Sequence, residues 1–413
     1  HDLEAFKAWK FEINPPVLLH GPMLGNVTDS SASFWVRTDG LAEITIRLDS
    51  GKAATGRTTA EKNFTTVVTI DNLEPSTVYE YEVLANGKLQ KIEGASLETF
   101  PGAGGTGKFA VGFGGGAGYI PEWERMWDTI GKFNPVAMLM LGDNVYIDQP
   151  EHPMTNYYCY MRRQSRPEWR RLVAGTAMYS IWDDHDFGTN DCVPGPEVEN
   201  PKWKRQVWNI FRENWVNPAY GGGEKQPGCW YDFAIGDVHF IFLDGRYYRD
   251  LKGGTMLGPV QKKWLLETLK KSEGTFKVIA SPVPFTEGIK KGSRDPWDGY
   301  PEEREEIFSF IESEKIEGVF LVAADRHRTD LRVTKRPNGY DLYEFESSRL
   351  TNRHTHSVVQ TEGLLWGYKD QCSFGLMRFD TTAKDPQVKF EGINIDGEIV
   401  GEFVLKRSML NFP

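Results

Sequence analysis

Residues 17 to about 100 alternate polar and apolar positions in short runs, as in Ser33-Phe34-Trp35-Val36-Arg37 and Ile44-Thr45-Ile46-Arg47-Leu48. A side-chain period of two, broken at Asp39-Gly40, Asp49-Ser50-Gly51 and Asn86-Gly87, predicts strands joined by tight turns. After the glycine-rich stretch 101–107 the pattern changes. Continuous apolar runs predict buried strands at 109–113, 136–141, 240–243, 276–280 and 319–323. Between some of them the period lengthens to that of a helix. Residues 121–132 set Trp123, Met126, Trp127 and Ile130 on one face, and further helices are predicted over 259–269 and 302–313. Strand and helix in alternation predict an α/β domain, whose ligands gather at the carboxyl ends of strands.

Leu73-Glu74-Pro75-Ser76-Thr77-Val78-Tyr79-Glu80-Tyr81 resembles the L-x-P-x-T-x-Y-x-Y stretch of fibronectin type III-like sandwiches, where the tyrosines pack at a corner. The predicted organisation is therefore a small fibronectin-like β-sandwich over residues 1–101, then an α/β domain over 102–413. Residues 101–107 are expected to form a flexible linker.

Composition adds limits. At 413 residues the chain is long for one domain, and 39% hydrophobic with 13% aromatic residues supplies packed cores. A net charge of -10 argues against a nucleic-acid-binding module, but a bound divalent metal would still let the chain handle a phosphate ester. Cys159, Cys192, Cys229 and Cys372 have no CxxC spacing, so a zinc knuckle is not expected; two disulfides or buried free thiols both remain open. There is no transmembrane stretch. The polar, acidic start His1-Asp2-Leu3-Glu4 is no signal peptide, leaving either a mature form with its signal removed or an intracellular protein.

The candidate chemistry lies where apolar runs end in charge. Leu141 leads into Gly142-Asp143-Asn144, with Tyr146 and Asp148 beyond, and Ile181-Trp182 leads into Asp183-Asp184-His185-Asp186. Leu243 leads into Asp244-Gly245-Arg246, and Ala323-Ala324 into Asp325-Arg326-His327. One such end reads as a helix cap. Four from separate strands read as the carboxylates and imidazoles of a multi-metal hydrolase. Three carboxylates and an imidazole at 183–186 repel one another and are costly to bury unless cations lie among them. Oxygen ligands suit calcium, magnesium or ferric ions, and histidine adds affinity for zinc or iron.

The order Gly-Asp-Asn, Asp-Asp-His-Asp, Asp-x-His resembles the metallophosphoesterase superfamily, and in detail the PhoD-like alkaline phosphatase family. Residues 182–187, 243–246 and 162–168 carry that likeness. It implies a fibronectin-like β domain joined to a four-layer αββα catalytic domain. It also implies a secreted or periplasmic phosphoester hydrolase, in which a metal-activated hydroxide attacks a phosphoryl group. Calcium and iron are the implied metals, with zinc, manganese or magnesium as substitutes, and a phosphate ester is the implied substrate. By the same resemblance Asp143 bridges two metals, Asp184 is a metal ligand, and His185 is the catalytic histidine. Asp325 and His327 are the last ligand pair. Tyr146 is either a ligand suited to ferric iron or a packed tyrosine. Arg246 and Arg162 either grip phosphate oxygens or are ion-paired. Asp183 and Asp186 orient their neighbours. His239 is expected in a hairpin, His354 and His356 in a polar loop edging the site, and Trp182, Trp297 and Tyr300 at an entrance or in the core.

The chain departs from its relatives in one respect. They place a cysteine or aspartate after the first catalytic-domain strand, whereas this chain has Gly114-Gly115-Gly116-Ala117-Gly118, whose amides are free to be read as an anion cradle. Ala323-Ala324 likewise replaces a small residue and glycine. Two alternatives to the phosphoester hydrolase stay open. One is a hydrolase of another ester class, its bulky group held by the aromatic segments 203–215 and 297–300. The other is a non-catalytic or repurposed member with a degenerate metal site.

Overall fold

The period-two runs of the first hundred residues become eight strands: β1 (Leu18–Gly25), β2 (Ser31–Thr38), β3 (Glu43–Leu48), β4 (Ala53–Arg57), β5 (Thr65–Asp71), β6 (Val78–Ala85), β7 (Lys88–Gln90) and β8 (Ser96–Glu98). The structure, a computed structural model, describes residues 17–413. One sheet has the order β4-β3-β6-β7, with β8 also on β6. Strands β1, β2 and β5 lie outside it. Phe34 of β2 meets Tyr81 of β6 edge to face at 4.8 Å, which packs the two sets together. At the predicted corner Tyr79 accepts a hydrogen bond from the Glu74 N–H at 3.0 Å.

The α/β body contains β9 (Lys108–Gly114), α1 (Met126–Gly131), β10 (Ala137–Leu141), α2 (Pro153–Gln164), α3 (Pro167–Gly175), β11 (Ala177–Ile181), α4 (Asp184–Phe187) and α5 (Trp203–Asn214). There follow β12 (Tyr231–Ile235), β13 (Val238–Phe242), α6 (Gly258–Lys271), β14 (Phe276–Ala280), α7 (Pro301–Ser313), β15 (Val319–Ala323), β16 (Thr329–Thr334) and β17 (Leu342–Ser347). Strands β18 (Leu364–Tyr368), β19 (Ser373–Asp380), β20 (Gln387–Asn394) and β21 (Ile399–Lys406) complete it. The helix predicted at 121–132 is shorter than its apolar face. It begins as a 3-10 turn at Pro121–Trp123 and is α-helical only from Met126, with Met126, Trp127 and Ile130 buried.

A nine-stranded sheet runs β21-β20-β19-β9-β10-β11-β1-β2-β5 and a seven-stranded one β12-β13-β14-β15-β17-β16-β18. Gly25 of β1 pairs in parallel with Met178 of β11, so part of the N-terminal sandwich continues the body's own sheet. The two large sheets meet across aromatic rings. Phe345 stacks on Phe390 at 4.7 Å, and Tyr179 on Phe233 at 3.8 Å. Helix α3 packs on β1 outside the first sheet, and α6 and α7 pack on each other. The layers are those of an αββα sandwich.

Residues 101–107 are not a free linker. The Ala103 N–H donates to Asp29 Oδ2, Gly104 N–H to the Gly236 carbonyl and Gly107 N–H to Thr381 Oγ1, at 3.1, 3.0 and 2.9 Å. A Cβ on Gly236 would lie 2.4 Å from the Gly105 carbonyl, so glycine here serves close approach rather than freedom. The four cysteines are free thiols. Trp182, Trp297 and Tyr300 are fully buried, and the apolar face of α5 is turned inward through Val207, Trp208 and Phe211. These aromatic residues pack the core instead of lining an entrance. His239 sits in the β12–β13 hairpin between Ser272 and Asp232. Among the described residues no helix is long and apolar enough to cross a membrane.

His20 gives the fold a pH dependence. Its ring is buried with Nε2 2.9 Å from Ser165 Oγ. Burial first, then the charges of Arg37 and Arg170, hold its pKa well below the usual 6.5. The folded chain keeps His20 neutral while the unfolded chain takes a proton below about pH 6.5, so stability falls as pH drops through that point, by up to about 1.4 kcal/mol per unit. The urea midpoint is expected to decline less between pH 7 and 5 in His20→Gln than in wild type. Parallel declines would remove His20 from the account.

Candidate metal centre

Strands β9, β10 and β11 are parallel to one another, as are β13, β14, β15 and β17. Their carboxyl ends are stitched together across the two sheets. Gly115 bridges Ser348, with the Gly115 N–H donating to the Ser347 carbonyl at 3.1 Å and the Leu350 N–H to the Gly115 carbonyl at 3.1 Å. One edge therefore collects the charged ends of several strands.

At the end of β10, Gly142 adopts φ +100°, and a Cβ there would lie 2.5 Å from Asp183 Cβ. Only glycine lets the ends of β10 and β11 approach so closely. Asp143 follows, buried, with one oxygen turned to each side. Its Oδ1 accepts from the His185 N–H at 3.3 Å, and its Oδ2 accepts from the Tyr146 hydroxyl at 2.9 Å and lies 4.0 Å from His327 Nε2. Burial, then the carboxylates of Asp184, Asp183, Asp186 and Asp325, push the Asp143 pKa well up.

The four charges at 183–186 divide their work. Asp183 and Asp186 form a reciprocal capping box around the single turn of α4. Asp186 also accepts from the Val145 N–H at 2.9 Å and from Asn144 Nδ2 at 3.3 Å, lacing β11 to β10. Asp184 accepts from the Asp191 N–H at 2.6 Å and faces Asp143. Donor atoms of Asp143, Asp184 and His185 lie within 4.8 Å of one another. So do those of Asp184, Asp191 and Asp295, but there Lys290 Nζ already reaches Asp191 at 2.9 Å and Asp295 at 3.2 Å. His185 Nδ1 pairs with Asp148 at 2.6 Å and its ring lies 4.4 Å from that of Tyr146. Burial lowers its pKa, but the Asp148 bond and the Asp184 charge outweigh burial and raise it to about 9.

Arg246 is placed differently from the phosphate-gripping expectation. It is fully buried, and each guanidinium nitrogen faces a carboxylate: Nε meets Asp183 at 2.5 Å, and Nη1 and Nη2 meet Asp295 at 2.6 and 3.3 Å. Arg249 joins at 2.5 Å. Although burial opposes ionisation, Arg246, Arg249 and Lys290 hold Asp295 far below the usual carboxylate range. Arg246 thus braces Asp183 and Asp184 from behind. Arg162 lies on α2, stacked over Tyr119 at 4.2 Å and Tyr158 at 5.5 Å in a surface cleft with Met154 and Met161, without a hydrogen bond to the carboxylates.

Beyond β15, Asp325 and His327 both take left-handed φ, +72° and +49°. Asp325 is largely buried near Asp184, Lys290 and Asp295. The His327 N–H donates to Ser348 Oγ at 3.1 Å, and its Nε2 stands 3.1 Å from the Tyr146 hydroxyl. Burial first, then His356, Arg326 and His354, lower its pKa to about 3, leaving the neutral imidazole that a metal requires. The rings of His356 and His354 lie near-parallel to that of His327, 5.3 and 6.2 Å away, so the polar loop does edge this centre.

Two further features differ from what the sequence suggests. The glycine amides form no anion cradle, because the Gly115, Gly116 and Ala117 N–H groups donate to the carbonyls of Ser347, Gly142 and Asp143. Asn352, uncharged and therefore unmarked in the sequence, reaches the centre: its Nδ2 contacts the Tyr146 hydroxyl and lies 3.2 Å from His327 Nε2. The carboxylates crowded around Asp143, beside a neutral imidazole and a phenol, form a donor set that fits divalent cations.

A family model described as PhoD-like phosphatase matches residues 109–390, and one described as a domain of unknown function (DUF7800) matches residues 15–97. Alkaline phosphatase D of Bacillus subtilis (strain 168) is 24% identical over 309 residues, covering 63% of this chain and 52% of that protein. The chain thus spans about half the length of this curated relative. A solved structure of PhoD superposes with a TM-score of 0.80 at 16% identity, covering 95% of this chain and 90% of that one. A purple acid phosphatase from yellow lupin (Lupinus luteus) seeds superposes at 0.71 with 11% identity, covering 96% and 75%. Both structural likenesses are likenesses of fold.

Proposed function

The chain belongs to the PhoD-like phosphatase family, and from that premise we propose that it is a metal-dependent phosphoester hydrolase. The observation that carries the reading is Asp143, which turns one carboxylate oxygen toward Asp184 and His185 and the other toward Tyr146 and His327. In this reading Asp143 would be shared between two cations. Asp184 and Asp325 would help to hold one, and Tyr146 and His327 the other. The all-oxygen side suits calcium, and the phenol and imidazole suit iron. Such a pair supplies positive charge against the phosphoryl oxygens and eases deprotonation of the attacking water.

The chain's own residues do the rest. Arg246 and Lys290 pair with the supporting carboxylates Asp183, Asp191 and Asp295 and fix their positions, which keeps Asp184 aimed at the centre. His185, held by Asp148 at Nδ1, has no hydrogen-bond partner at Nε2 among the described residues and serves as the proton donor to the leaving oxygen. Monoesters and diesters both fall within the proposal, as does a secreted or periplasmic setting, the latter on the family likeness alone.

His327→Ala tests the assignment. It is expected to lower aryl phosphate turnover by at least about 100-fold, while leaving thermal unfolding close to wild type. Unchanged turnover in a folded variant would overturn the role given to His327.

A further inference from the structure

We infer that the side-chain amide of Asn352 supplies the metal donor that the first strand of the α/β body lacks; the inference rests on the metal-dependent reading above. The glycine run after β9 has no room for a ligand of its own. A Cβ on Gly114 would lie 2.9 Å from Leu350 Cδ2, and one on Gly115 would lie 2.7 Å from Ala324 Cβ and 2.9 Å from the Gly142 carbonyl. One on Gly116, whose φ is +63°, would lie 3.2 Å from both His327 Cδ2 and Ser348 Oγ. One on Gly118 would lie 3.3 Å from Asn352 Cα and Cγ. The space beside this strand end is thus taken by side chains from the segments after β15 and after β17. The polar one among them that reaches the donor atoms is Asn352.

Asn352 is buried, and its backbone is fixed. Its carbonyl accepts from Arg349 Nε at 3.2 Å, and the neighbouring Thr351 hydroxyl donates to the Gly118 carbonyl at 2.6 Å. The amide touches two of the three donors on that side of Asp143, namely the Tyr146 hydroxyl and His327 Nε2. Its other end, Oδ1, accepts from the His354 N–H at 2.9 Å. A half-turn about Cβ–Cγ presents Oδ1 to the point where Asp143, Tyr146 and His327 converge, exchanging the His354 bond for a cation contact. An amide oxygen is an ordinary ligand for calcium and other hard cations. The competing role for the same amide is purely structural, as a hydrogen-bond donor that orients Tyr146 and His327.

Asn352→Asp and Asn352→Leu separate the two roles. Asp keeps an oxygen donor and loses the N–H groups, whereas Leu loses both. Metal content of each purified full-length protein is measured by elemental analysis across a series of competing chelator concentrations, with thermal unfolding as the check on folding. The Leu variant is expected to lose one metal with affinity lowered at least about 10-fold, and the Asp variant to hold wild-type metal. Leu holding metal as tightly as wild type overturns the inference. Asp losing metal as Leu does also overturns it, in favour of the hydrogen-bond role. A wild-type chain without metal overturns the underlying reading and this inference with it, whereas either variant result with wild-type metal intact bears on Asn352 alone.

Discussion

Asp143→Asn is expected to lower the turnover of an aryl phosphate ester by about 10³-fold, with folding intact. The carboxylate turns one oxygen to each side of the centre, so a single substitution removes charge from both proposed cations. Cation stabilisation of a phosphoryl transition state is worth several kcal/mol, and about 4 kcal/mol corresponds to three orders of magnitude. Folding should not suffer, because Asp143 is crowded by Asp184, Asp183, Asp186 and Asp325, and an amide relieves that repulsion. Asp143→Asn is therefore expected to match or exceed the stability of metal-free wild type. A variant that unfolds would show that Asp143 is structural. A variant that turns over normally would show that it is not at the reacting centre.

Arg246→Met is expected to give the largest loss of stability, about 3–5 kcal/mol. Methionine fills similar volume but leaves Asp183 buried without its partner at 2.5 Å and removes one of the two guanidinium groups on Asp295. Replacing both members of a buried pair is often tolerated, whereas removing one leaves an uncompensated charge. Asp183 also caps α4, so the turn that carries Asp184 and His185 should loosen at the same time. The urea midpoint measures the first effect, and the turnover of the surviving folded protein measures the second. A midpoint within about 1 kcal/mol of wild type would contradict the bracing role.

Much of the centre was legible because its signals are local. Apolar strands ending directly in Asp143, Asp184 and Asp325 placed those carboxylates at strand ends without any knowledge of the sheet order. What escaped the sequence depends on contacts between distant segments. Arg246 follows Asp244-Gly245 much as a phosphate-binding arginine would, and nothing local shows that Asp183 and Asp295 close around it. The glycines at 114–118 announced a missing ligand, but only the packed structure shows Leu350, Ala324, His327 and Asn352 against that strand end. The same limit applies to the fold. Alternating strands marked the N-terminal sandwich, while the pairing of Gly25 with Met178, which joins it to the body, left no trace in either strand's own pattern. Glycine content suggested a flexible linker at 101–107, where the chain instead uses glycine to press against Gly236.

The central claim is that turnover depends on cations held at Asp143. Its most direct test is the metal content of the purified chain measured together with aryl phosphate turnover, before chelation, after chelation and after metal is restored. The account expects two metal equivalents, loss of turnover in step with their removal, and recovery when they return. Undiminished hydrolysis by the metal-free chain would contradict it.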